Sequence, residues 1–191
     1  MFARHVQGLG TISAQYNFQN MIWRVPYSIS VGGRHFRSYA AQMAGADGPG
    51  GELFVPDYSI DPDSIPAVSA RDVLSGRVSL GALKDKTVIV GGTTDVLGDM
   101  YFIPGTGRMG GVYVQIIRAE TLKTGRPVYL GWLPLFAVAL ASAAVAAYRR
   151  NQTIAALILG FSLLALMVGP AAAESRLIFF DITPAMFVIL W

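Results

Sequence analysis

The charges of this chain stop almost entirely at residue 130. Of its 15 Lys and Arg, only Arg149, Arg150 and Arg176 lie beyond that point, and of its 12 acids only Glu174 and Asp181 do. Three apolar stretches fill the space between them. Gly131 to Tyr148 carries no charge; "RRNQ" follows, and Thr153 to Ala173 is again uncharged. A short "ESR" then leads into "LIFFDITPAMFVILW", Leu177 to Trp191. About 20 apolar residues cross a bilayer as a helix, so the first two stretches are long enough. The third falls short by about a turn and a half and reads as cut off mid-span. Core helices of a soluble protein are the competing reading. Three uncharged stretches in succession, divided only by short charged loops, speak against it. The expected architecture is an α/β (or α+β) domain over residues 1–130, followed by three transmembrane helices at 131–148, 153–173 and 177–191.

Details of the apolar third fit a bilayer. Trp132 and Tyr148 bracket the first stretch, as aromatic residues do at membrane interfaces. Ala139, Ala141, Ser142, Ala143 and Ala144 allow close helix packing. Asp181 is costly in lipid, so it is expected to face protein or water near the interface, and Pro184 is expected to kink the third helix. Arg149 and Arg150 mark the first loop as cytoplasmic, whereas "ESR" is nearly neutral. Residues 1–130 are thereby expected outside and the C-terminus inside. "MFARHVQGLG" at the start is neither a signal peptide nor a membrane helix. Either a helix precedes it or the topology is reversed, and a preceding helix is the favoured expectation.

Composition closes several functional classes. Net charge is +3 with the basic residues scattered, whereas nucleic-acid binding wants clustered Lys and Arg. There are no cysteines, which removes disulfides, thiolate zinc sites and cysteine nucleophiles. His5 and His35 have no ligand-like spacing, and no cofactor or metal is expected.

Within residues 1–130, "MIWRVPYSISV" alternates as a strand and ends at Gly32-Gly33, a turn signal. Pro26 is expected at an edge or beside a bulge. "RHFRSYAAQMA" predicts a short helix with Phe36, Tyr39, Ala40 and Met43 on one face, "AGADGPGG" a loop, and "ELFVPDYS" a second strand. "IDPDSIPAV" is an irregular connection. Ser69 opens a brief helix with Asp72 at its third position, a variant capping box, and Gly76 closes it. Val88, Ile89 and Val90 predict a strand covered on both faces. "GGVYVQIIRAETLKTGRP" predicts a strong helix, with Val112, Ile116, Ala119 and Leu122 near one stripe and Gly125 and Pro127 stopping it. Strands alternating with helices imply a layered domain.

The stretch "TVIVGGTTDVLGDMYF" has the composition of a ligand loop. A phosphate-binding P-loop needs a lysine and a Ser or Thr after its last glycine, and here Thr93, Thr94 and Asp95 follow Gly91-Gly92 without that lysine. The glycines at 91, 92 and 98 have the wrong spacing for a dinucleotide fingerprint, and Asp95 and Asp99 are too few for an EF-hand. Two readings stay open. The loop is a sharp exit from a buried strand, or it touches a small ligand through Thr93, Thr94, Asp95 and Asp99.

From Ser69 to Gly125 the residues carry an ordered set of features: Asp72-Val73-Leu74, then Lys84 and Lys86 before a hydrophobic strand ending at Gly91. Leu97, Asp99, Pro104, Gly111 and a long helix follow. Earlier, "WRVPYSISVGGRHFRSYAAQM" supplies an "R-V-P" strand, a double glycine and a Ser-containing helix. This set resembles the second class of CHASE domains, the extracellular sensory modules of cyclases and histidine kinases. The resemblance covers roughly residues 10–130, and the three following apolar segments are also typical of the family. It implies sensing rather than catalysis: an outward-facing module joined through membrane helices to an adenylate or diguanylate cyclase, a histidine kinase or a Ser/Thr kinase. Against the family pattern, the chain is expected to lack the leading membrane helix, the front of the sensor and the output domain. "MGGVYVQ" also stands where a Pro-Gly and an acidic, histidine-bearing helix start are more usual.

The function expected is therefore the sensing and membrane-anchoring portion of a bacterial transmembrane signalling protein. Its expected partners are the lipid bilayer, an extracytoplasmic stimulus or small ligand and, by family analogy, a second copy in a homodimer. The alternative is a non-signalling membrane adaptor or assembly subunit without catalytic activity. No acid, base and nucleophile converge in the sequence, so no catalytic residues are assigned.

Overall fold

The computed structural model describes residues 9–93 and 99–190, in two units, Met1–Thr124 and Gly125–Trp191. In the first, β1 (Gln15–Tyr16) and β2 (Ile22–Pro26) pair antiparallel. Between them the Asn17 side-chain oxygen accepts from the backbone N–H groups of Gln19 and Met21. After a break at Tyr27, β3 (Ser28–Val31) and β4 (Arg34–Arg37) form a hairpin in register Ser28↔Arg37 to Val31↔Arg34. Gly32 and Gly33 turn it at φ 57° and 76°, the left-handed conformations that a two-residue hairpin turn demands.

That hairpin corrects the helix expected from Arg34. The strand consumes Arg34–Arg37, and the helix α1 (Tyr39–Ala44) starts only after Ser38, whose hydroxyl accepts from Ala41 N–H at 3.1 Å. β5 (Leu53–Phe54) pairs with the far end of β2, giving the order β1-β2-β5. Pro26 is thus the last residue of a middle strand, opposite Leu53, rather than on an edge. It is tolerated because the ladder stops there.

α2 (Ala70–Leu74) begins after Ser69 as expected, but the Ser69 side chain makes no capping bond, and Gly76 follows at φ 73°. β6 (Met100–Ile103) and β7 (Gly107–Gly110) form a second hairpin that runs straight into α3 (Gly111–Thr124). Ile22, Val25, Phe54, Ile103, Val114 and Ile117 are among the residues that close the core. α1 packs on α3 across it.

The largest departure from expectation is the stretch Val88–Val90. It is not a strand among the described residues, and no described strand pairs with it. Val88 is 49% and Val90 88% exposed, whereas Ile89 is half-buried. Consecutive β-branched residues favour an extended backbone, but a strand exists only through its neighbour's hydrogen bonds.

In the second unit, β8 (Val128–Gly131) leads into α4 (Leu133–Tyr148), α5 (Gln152–Glu174), β9 (Ile178–Phe180) and α6 (Thr183–Leu190). Asn151 caps α5 by accepting from Thr153 and Ile154 N–H. With 23 residues, α5 is about 34 Å long, enough for a hydrocarbon core of about 30 Å. Among the described residues it is the one helix long and apolar enough to cross a membrane; α4 has 16 residues. The expected helix from Leu177 is corrected: Ile178–Phe180 is a strand, parallel to β8, and the helix waits for Thr183. Pro184 sits in its first turn, where its missing N–H costs nothing, so it starts this helix rather than kinking it. Ala139, Leu166, Ala185 and Ile189 pack α4, α5 and α6 together; of the small residues expected to allow close packing, Ala139 is buried there, whereas Ala141 and Ala144 are exposed.

Candidate functional site

The β6–β7 register places Met100 opposite Gly110, which brings the preceding Asp99 to the start of α3. The Gly111 N–H donates to the Asp99 carbonyl at 2.8 Å. A Cβ on Gly111 would lie 2.5 Å from both Asp99 carboxylate oxygens, so the glycine is what lets the acid sit there. A carboxylate beside a helix N-terminus is favourably placed against the helix dipole.

The segment after Val90 crosses the same spot. A Cβ on Gly91 would meet the Val112 Cβ at 2.7 Å, and one on Gly110 would lie 3.4 Å from both the Gly92 carbonyl oxygen and the Thr93 Cα. Between these pieces lies a cleft of about 190 Å³, lined among others by Ile12, Ile89, Asp99, Tyr101, Val112 and Gln115. Of the four residues expected to touch a ligand, Asp99 lines this cleft and Thr93 lies beside Gly110, exposed. Thr94 and Asp95 lie outside the described residues.

Ile12 reaches the cleft because Thr11 is pinned to the start of α1. Thr11 N–H donates to the Arg37 carbonyl at 3.0 Å, and Tyr39 N–H donates to the Thr11 carbonyl at 2.8 Å. The Ile12 carbonyl in turn accepts from Arg118 Nη1 at 3.4 Å. Arg118 is 1% exposed, on the α3 face that also buries Gly111, Val114 and Leu122. Its Nε–H has no partner, and among the described residues no carboxylate forms an ion pair with it.

Tyrosines surround this guanidinium. Tyr58 is held against α3 by its neighbour: Asp57 N–H donates to Thr121 Oγ1 at 2.9 Å, while the Thr121 hydroxyl donates to the Ile117 carbonyl at 2.8 Å. Burial pushes the Tyr58 phenol up to about 12, with Arg118 pulling the other way. Its hydroxyl is buried beside that guanidinium. Burial lowers the Arg118 guanidinium, with the Tyr58, Tyr101 and Tyr16 phenols opposing that shift. Burial also raises Tyr101, and the Asp99 carboxylate beside it raises it further. Asp99, Tyr101, Arg118 and Tyr58 thus act on one another electrostatically.

Sequence reasoning did not single out Arg118. The available signal was a cation inside an otherwise apolar helical stripe, one turn after Val114 and one before Leu122.

A larger groove of about 470 Å³ lies elsewhere in this unit, lined by Ser13, Gln15, Pro26, Ser28 and Ser30 among others. Here His35 Nε2 meets Ser28 Oγ at 3.0 Å and Nδ1 meets Ser30 Oγ at 2.8 Å. Both ring nitrogens are spent on hydroxyls, and a nucleophilic triad needs an acid on one of them. Among the described residues no cluster of His, Asp and Glu could hold a metal ion.

A family profile described as the CHASE2 domain matches residues 5–166, running from the first unit into α5. No curated protein and no solved structure matches the chain.

Proposed function

This chain belongs to the CHASE2 domain family, whose members are extracytoplasmic sensory domains of membrane proteins, and on that premise we propose that its first unit detects a stimulus at the α3 cleft. The single observation that carries the reading is the family match over residues 5–166. The cleft supports it, because Asp99 and Tyr101 line it at the start of one well-packed helix. A ligand shifts a conformational balance only by its differential affinity for the two states, and a bond as long as that between Arg118 and Ile12 is readily exchanged.

In this reading the apolar second unit anchors the protein in a bacterial inner membrane through three helical segments and passes the change to a cytoplasmic cyclase or kinase output. Thr93 and Asp99, with Thr94 and Asp95 beyond the described residues, are the loop positions assigned to the contact. The protein is a homodimer in this scheme and performs no chemistry itself.

Topology is the test. The chain has no cysteine, so a single Cys reports its own surroundings. Gln19→Cys, in an exposed turn, is expected to react with a membrane-impermeant maleimide in intact cells. Arg150→Cys, between α4 and α5, is expected to react only after permeabilisation. The reverse pattern would sink the proposal.

A further inference from the structure

The groove of about 470 Å³ along β3 shares no lining residue with the α3 cleft and differs from it in chemistry. Three pieces of chain meet there: residues 13–15, residues 28–30 of β3, and the approach to β5 at Gly50, Gly51 and Leu53. None of its described lining residues carries a charge. Ser13, Gln15, Ser28 and Ser30 supply polar side chains, whereas Pro26, Ile29 and Leu53 supply apolar surface.

The two β3 serines are tied together by His35. Its Nε2 meets Ser28 Oγ at 3.0 Å and its Nδ1 meets Ser30 Oγ at 2.8 Å. Gly50 closes over the ring: a Cβ there would lie 2.7 Å from Cε1, the carbon between the two nitrogens. A neutral imidazole has one N–H and one lone pair, so it gives a proton to one serine and receives one from the other. The serine that accepts keeps its own O–H free to donate. The serine that donates is left with lone pairs only. Whichever tautomer holds, the pair therefore presents one donor and one acceptor. Two positions apart on a strand, the serines are separated by about 7 Å at their Cα atoms. Two adjacent hydroxyls on a ligand, one donating and one accepting, bridge that span.

Other ligand classes fit less well. A carboxylate or phosphate brings acceptors only and meets no cation among the described lining residues; an ammonium group meets no anion there. A charge taken from water needs a partner. An added peptide strand meets an edge already in use, because Tyr27 N–H donates to the Glu52 carbonyl at 2.9 Å and Gly51 N–H to the Ser28 carbonyl at 3.4 Å. A sugar has hydroxyls that both donate and accept, and C–H faces that suit Pro26, Ile29 and Leu53. The groove also falls within the range of about 300–1,000 Å³ usual for small-molecule sites.

We propose that this groove binds a small neutral sugar, a mono- or disaccharide, with two adjacent hydroxyls bridging Ser28 and Ser30. The exposed Gln15 amide, a donor and an acceptor in one group, reaches a further hydroxyl. His35 is a positioning residue, which sets the donor and acceptor roles of the two serines. The site is separate from the α3 cleft, so its failure leaves the sensing role standing, and a reversed topology leaves the binding result standing.

The test measures binding to the full chain in a detergent without a sugar headgroup, by ligand-observed NMR and thermal unfolding. The neutral probes are glucose, galactose, mannose, maltose and trehalose; the comparison probes are glucuronate, glucosamine and a capped neutral dipeptide. Sugars also stabilise proteins by exclusion from their surface, but that effect neither saturates nor depends on Ser30. At least one neutral sugar is expected to bind saturably and about tenfold more tightly than any comparison probe, the difference that one unmatched polar group makes. Ser30 is exposed, so Ser30→Ala is expected to fold and to bind about tenfold more weakly, whereas Ser30→Thr keeps the hydroxyl and the affinity. His35→Phe frees both serines to donate, and is expected to narrow the preference for the neutral sugar over glucuronate. The proposal is overturned if no neutral sugar binds saturably, if Ser30→Ala leaves the affinity unchanged, or if a comparison probe binds as tightly as the best sugar.

Discussion

The hydroxyl of Tyr129 donates a hydrogen bond to Oδ2 of Asp181, joining the strand before α4 to the turn before α6. The Asp181 N–H completes the link by donating to the Gly131 carbonyl at 3.1 Å. An acid inside an apolar segment is thereby answered by a named donor.

Tyr129→Phe should accordingly cost more than the loss of one surface hydroxyl. It leaves the Asp181 carboxylate without its side-chain partner among the described residues, a penalty of about 1–3 kcal/mol. Asp181→Asn in the same background should recover part of that loss, because an amide is cheaper to leave unpaired than a charge. Unfolding of the three proteins in detergent, compared at one temperature, checks the order.

Gly111→Ala should destabilise the protein by about 1–2 kcal/mol, because the new methyl displaces the Asp99 carboxylate from the α3 N-terminus. In an Asp99→Ala background the same substitution should cost clearly less. A double-mutant cycle measures the difference; additive effects would show that the two residues do not share the space.

Alkaline stability should fall between pH 10 and about 12 with a contribution from Tyr58, whose folded-state phenol is pushed up to about 12 from 10.0. In that window the unfolded phenol has lost its proton and the folded one keeps it, so raising the pH favours unfolding. Below pH 10 both states hold the proton and the effect vanishes. Tyr58→Phe should flatten the slope of stability against pH in this window, as followed by thermal unfolding.

Val88→Asp should be mild, within about 1 kcal/mol, because the side chain is 49% exposed. Ile103→Asp, at 0% exposure beside Ile22 and Phe54, should prevent folding, since it buries an unpaired charge. Expression and circular dichroism of the two variants distinguish a surface stretch at 88–90 from a core strand.

That contrast shows what was legible in the sequence. Local signals held where the determining neighbours are close along the chain: the Gly32-Gly33 turn, the start of α2 after Ser69, and α3 from Gly111 to its stop before Gly125. They failed where partnership decides. Val88 to Val90 have the composition of a central strand, but no described strand lies alongside to pair with them. Arg34–Arg37 sit in a helix-like pattern, yet the hairpin with Ser28–Val31 claims them first. In the apolar third, Ile178–Phe180 resembled the opening of a helix because apolar content alone does not separate strand from helix in so short a run. At the site, Asp99 was visible as an acid in a glycine-rich loop. Arg118 was hidden, because what marks it is its burial with no ion-pair partner among the described residues, a property of three-dimensional neighbours.

The pairing of β8 with β9 has a mechanical consequence. The strands run parallel, so α4 and α6 both follow from the same end of the pair. A pull along either helix loads the inter-strand hydrogen bonds together, in shear, rather than peeling them apart one by one. Tension on one strand is therefore expected to load the other, so that the starts of α4 and α6 move together.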